Sequence, residues 1–177
     1  MEGNTIKIGI THGDINGIGY EVILKMLDDN RILELCTPII YGSAKIAAFY
    51  RKALGMQQQQ LHQINSVSEA RDGAVNIINV VGEECKVEPG QSTKEAGAAA
   101  FAALEKAVQD VSAGTLDAIV TAPINKDNIQ SDLFTFPGHT EYLEASVGGK
   151  ALMVLFNRDI RVALVTTHLP ISKIAEN

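Results

Sequence analysis

Tryptophan is absent from this 177-residue chain, and aromatic residues make up only 5% of it. That scarcity disfavours an aromatic-rich β-sandwich, and Ala, Gly, Ile and Val carry the apolar load, as in α/β enzymes. Cysteine is nearly absent as well. Cys36 and Cys85 stand far apart without paired spacing, which excludes a disulfide framework or a zinc knuckle and predicts reduced thiols. Positive charge is in deficit: the net charge of -6 and pI near 5.2 exclude nucleic acid as a general partner and leave room for local anion sites only. Long hydrophobic runs are missing too. No stretch of about 18 apolar residues exists, and the start "MEGNTIKIGI" lacks a basic segment followed by an apolar block. The expectation is a cytoplasmic protein that neither spans a membrane nor is exported.

What is present is enough apolar material, 46% of residues, to bury a substantial core. The length suits one domain or a large piece of two. β-Branched runs alternate with helical patterns. Strands are predicted at 5–11, 37–42, 75–81, 117–123, 150–156 and 160–167. Helices are predicted at 19–29, at 43–54 with Ser43 as cap, from Ser92 to about Val111, and at 140–147. In the longest helix Ser92 and Glu95 have capping-box spacing, and Ala98, Phe101, Leu104, Val108 and Val111 make one apolar stripe. Strands separated by helices predict an α/β fold with a largely parallel sheet covered on both faces. A further helix opens at Pro170 and runs only one or two turns, which predicts that residues 1–177 are the front portion of a longer protein.

Three stretches have residues suited to chemistry. His168 falls after an apolar strand, at the edge where ligands gather in open α/β sheets; it suits a metal ligand or a histidine that merely bonds its own loop. In "FPGHTEYL" (136–143), Gly138 permits a tight turn and Thr140 is placed to cap the helix that follows. Free N–H groups at such a start welcome an anion, with His139 beside them, although Glu141 opposes one. A plain cap next to a surface histidine reads equally well. In "TAPINK" (121–126), Lys126 follows a strand and can meet an anion or simply be solvated. The turn "THGDINGIGYE" (11–21) is glycine-rich but is neither G-x-G-x-x-G nor a P-loop. His12 within it is ambiguous, and His62 reads as a surface residue.

Taken together, "GITHGDINGIGYEVILK", "GQSTKEAGAAAFAALEKAV", "DAIVTAPINK", "FPGHTEYL" and "RVALVTTHLPI" closely resemble the 4-hydroxythreonine-4-phosphate dehydrogenases of vitamin B6 biosynthesis. The turn departs from that family's usual Pro-Ala at Ile15-Asn16 and from its Pro at Tyr20. The resemblance implies an isocitrate/isopropylmalate dehydrogenase-like fold of two α/β domains, of which 1–177 is the N-terminal portion, and a homodimer. It implies oxidation of a secondary alcohol on a phosphorylated amino acid by NAD or NADP with a divalent metal (Zn, Mg or Co). It also implies substrate contacts from His139 and Thr140, and His168 as the first of three metal-ligating histidines, the other two lying beyond residue 177. No cofactor-binding residue follows from the motifs, and the 177 residues alone are expected to be inactive. Two other readings share these motifs: a relative oxidising phosphothreonate or phosphoerythronate, and a non-catalytic phosphometabolite-binding module.

Overall fold

Five short β-branched segments make one parallel sheet: β1 (Lys7–Thr11), β2 (Thr37–Gly42), β3 (His62–Ile64), β4 (Asn76–Asn79) and β5 (Ala118–Thr121), in the order β3-β4-β2-β1-β5. The structure, a computed structural model, describes residues 5–56, 58–82, 84–166 and 169–176. Helices α1 (Gly19–Leu27), α2 (Arg31–Leu35), α3 (Ala44–Ala53), α4 (Lys94–Ser112) and α5 (His139–Val147) connect or follow the strands.

Successive side chains of β2 explain the two-sided core. Ile40 packs with Ile10 and Ile77 against Ile23, Leu24, Ile46 and Tyr50 of α1 and α3. Ile39 and Tyr41 face the other way, toward Ala103 and Ala107 of α4. This is the period of two expected of a strand covered on both faces. A third cluster joins Ala100, Leu104 and Val108 of α4 to Ile129, Phe134 and Tyr142, and so ties α5 to the layer on the α4 side.

Several sequence expectations change. The buried face of α4 is centred on its alanines (Ala96, Ala99, Ala100, Ala103 and Ala107), with Leu104 and Val108, while Ala98 is exposed. Small side chains let the helix lie close to the sheet, so the larger residues that periodicity favours flank the contact. α4 begins at Lys94, with Thr93 as its cap: Thr93 Oγ1 accepts from the Ala96 N–H at 3.2 Å. The Ser92–Glu95 capping box therefore does not form, and Ser92 is exposed. Thr93→Ala should cost about 1 kcal/mol, whereas Ser92→Ala should change stability by less than about 0.5 kcal/mol; chemical denaturation of both variants checks the assignment. Ser43 caps α3 as expected.

β3 and α2 are additional elements, both too short to show a period. His62 lies half-buried in β3 rather than on the open surface. The last two strands, β6 (Val154–Phe156) and β7 (Arg161–Ala163), do not join the parallel sheet. They form an antiparallel hairpin because only a tight turn joins them, in which Asn157 Oδ1 accepts from the Asp159 and Ile160 N–H groups. A parallel pair would need a long crossover. Among the described residues, no helix is long and apolar enough to cross a membrane.

Candidate anion site at the β1/β5 strand ends

From β1 the chain passes to α1 on one face of the sheet, whereas from β5 it proceeds to α5 in the layer on the α4 face. The carboxyl ends of these two adjacent strands thus lie where the chain connections diverge to opposite faces, the usual ligand position in open α/β sheets. The turn after β1 (12–18), the segment 122–138 and the start of α5 meet there.

α5 begins at His139, one residue before the expected start. Its cap is Gly138, in extended conformation and with no side chain to accept a hydrogen bond. Thr140 is therefore not the cap but lies inside the first turn, half-buried. A helix that starts this way leaves its first amides without intrahelical acceptors. Lys126 reaches this start: its Nζ lies 3.8 Å from where a Cβ on Gly138 would stand. Glu141 Oε2 lies 3.5 Å from the same point, so a carboxylate partly offsets the ammonium.

His139 Nδ1 lies 3.4 Å from Thr121 Oγ1 at the end of β5. Its Nε2 is buried without a hydrogen-bond partner. Desolvation, and secondarily the Lys126 charge, hold the imidazole pKa below its ordinary value, so the ring is neutral at physiological pH. Leaving a buried nitrogen unpaired costs about 1–3 kcal/mol, a cost that a bound ligand relieves. Thr140 instead borders a cavity of about 610 Å³ together with Glu141, Glu144 and Met153. Two carboxylates on that wall make it a poor anion site, so the anion-accepting side is the one toward Lys126 and His139.

The structure thus brings His139, Thr140 and Lys126 to one helix start. His168 lies outside the described residues. Thr121, Asp14 and Asn128 were not singled out from sequence, and Asn16 stood out there only as a departure from the family's usual turn. The only cue to them was their density of short polar side chains just after apolar strands. His12 proves to be a core residue, fully buried, with its ring stacked on Tyr20 at 5.3 Å.

Among the described residues, no cluster of three His, Cys, Asp or Glu side chains is placed to hold a metal ion. The glycines of the β1–α1 turn are required by chain packing. A Cβ on Gly13 would fall 2.3 Å from the Pro123 carbonyl, and one on Gly19 would fall 2.1 Å from the His12 carbonyl.

Solved structures define the class first. The chain superimposes on a 4-hydroxythreonine-4-phosphate dehydrogenase from Burkholderia phymatum with a TM-score of 0.84 at 33% identity, covering 96% of this chain and 52% of that one. It is 55% identical over 177 residues to the 4-hydroxythreonine-4-phosphate dehydrogenase of Bacteroides thetaiotaomicron, covering 99% of this chain and 48% of the relative. It is 33% identical to a putative D-threonate 4-phosphate dehydrogenase of Clostridium botulinum, covering 98% and 53%. The fold and these relatives are those of dehydrogenases. Residues 34–177 match the family described as pyridoxal phosphate biosynthetic protein PdxA, and the chain belongs to that family. It spans about half the length of the curated relatives it matches.

Proposed function

We propose that this chain is the N-terminal portion of a two-domain, homodimeric dehydrogenase. In this reading the whole protein oxidises 4-phosphooxy-L-threonine to 2-amino-3-oxo-4-phosphooxybutanoate in vitamin B6 biosynthesis. The supporting observation is the pairing of the Lys126 ammonium with the His139 imidazole at an uncapped helix start, a set of donors suited to an anionic substrate group. His139, neutral and backed by Thr121, presents Nε2 to a polar substrate atom, and Thr140 lines the adjoining turn. These residues bind and orient. NAD or NADP supplies the hydride acceptor when bound, and no cradle for it is found among the described residues.

A divalent ion (Zn, Mg or Co) is also part of the proposal, with His168 as one ligand. Three ligands are usual for such a site, so residues 1–177 alone should bind the ion weakly and turn over no substrate. The relative named for D-threonate 4-phosphate favours a second reading in which the substrate is a phosphorylated sugar acid. That substrate shares the phosphate and the secondary alcohol.

The test is NAD(P) reduction by a family-length protein carrying these residues, with 4-phosphooxy-L-threonine and D-threonate 4-phosphate as competing substrates. The amino acid should give the higher kcat/KM, and Lys126→Met should lower it about 30–100-fold, as expected for loss of a charged contact to an anion. A preference for threonate phosphate would overturn the substrate assignment. Full activity in Lys126→Met would remove the anion site.

A further inference from the structure

The β1–α1 turn departs from the family pattern at Asn16, and this side chain is 4% exposed with both ends of its amide engaged. Asn16 Oδ1 accepts from the Glu88 N–H at 2.7 Å, and Nδ2 donates to the Gln91 carbonyl at 3.0 Å and to Thr93 Oγ1 at 3.3 Å. Its main-chain N–H donates to Asp14 Oδ1 at 2.9 Å. From there the bonds continue. Asn128 Nδ2 donates to Asp14 Oδ2 at 3.2 Å, and the Asn128 N–H donates to Asn125 Oδ1 at 3.3 Å. Asn125 Nδ2 then donates to Ser92 Oγ at 3.2 Å, next to Thr93. The path returns to its origin and encloses the turn that carries Lys126.

We infer that Asn16 is a positioning residue: it closes a ring of hydrogen bonds through residues 14, 128, 125 and 92–93, and this ring holds the 125–128 turn so that Lys126 stands against the start of α5. No single bond in the ring is strong, at about 0.5–1.5 kcal/mol each, but a closed path fixes the turn from both ends. Alanine at 16 removes one acceptor and two donor contacts together. Alanine at 92 opens the same ring at an exposed point. The consequence for substrate binding rests on the anion-site reading above; the ring itself does not.

His139 reports the position of Lys126, because that ammonium is, after burial, the second influence lowering its pKa. The experiment is an NMR titration of His139 in the 177-residue chain, comparing wild type with Lys126→Met, Asn16→Ala and Ser92→Ala. Tyr41→Phe serves as a control that breaks a bond to Asp110 elsewhere. Lys126→Met should shift the His139 pKa upward. Asn16→Ala and Ser92→Ala should shift it in the same direction by less, and Tyr41→Phe should leave it in place. In parallel, inorganic phosphate should bind about threefold to tenfold more weakly to Asn16→Ala, the scale of one surface charge contact.

Wild-type titration in both ring variants would overturn the inference, and so would an unshifted His139 in Lys126→Met. If the ring variants shift His139 while phosphate leaves its resonances unmoved even in wild type, the ring stands and the anion reading fails.

Discussion

Gly97→Ala is expected to destabilise the protein by about 1–2 kcal/mol, although the position lies inside a helix. By helix propensity alone, replacing an interior glycine with alanine gains about 1 kcal/mol, so local reasoning predicts the opposite sign. The tertiary contact reverses it. A Cβ on Gly97 would lie 1.9 Å from the Asn128 carbonyl oxygen and 2.8 Å from the Ile129 nitrogen. Both are backbone atoms and cannot rotate away, so α4 or the 125–129 turn must shift. Overpacking against backbone costs about 1–3 kcal/mol, and with the nearest contact at 1.9 Å the upper part of that range applies and outweighs the propensity gain. Chemical denaturation measures the change. A more stable variant would show that α4 does not pack on that turn as described. The turn also carries Lys126, so weakened phosphate binding should accompany the loss.

His12 should make the protein acid-sensitive well above the range where carboxylates titrate. Burial lowers its pKa from 6.5 to about 4, with the Gly13 and Ala99 backbone opposing the shift only partly. Below pH 6.5 the unfolded chain therefore binds a proton that the folded chain refuses. Stability from this group is complete above about pH 6.5, declines as pH falls and levels off below about 4. The total loss is about 3 kcal/mol. Tyr20, stacked on the imidazole, is held neutral by burial and adds no charge in this range. His12→Phe keeps a ring for the stack and removes the titration. Between pH 7.5 and 4.5 the wild type should therefore lose about 2–3 kcal/mol more than the variant in urea unfolding. Equal losses would mean that His12 is hydrated or bonded in solution.

The candidate site was partly legible. The spacing of "FPGHTEYL" located a helix start with His139 and Thr140, and "TAPINK" placed Lys126 after a strand. The sequence did not show that these two stretches meet, nor that Gly138 rather than Thr140 is the cap. A cap depends on where the backbone leaves extended geometry, and a one-residue change in that point moves Thr140 from cap to first turn. His12 was ambiguous because a strand-end histidine looks the same in sequence whether it faces a cleft or a core. Only the packing of Tyr20 and the closeness of Gly42, where a Cβ would come within 3.2 Å of the ring, put it inside.

Alternating apolar runs and helical periods determined by themselves that this is an α/β protein with a parallel sheet, because those patterns are local and each strand needs both faces covered. Sheet order, the alanine face of α4 and the ring through Asn16 were decided by tertiary structure. Each depends on residues far apart in the chain, up to 114 positions, coming within a few ångströms. No window of the sequence contains both partners, so spacing alone could not reveal them.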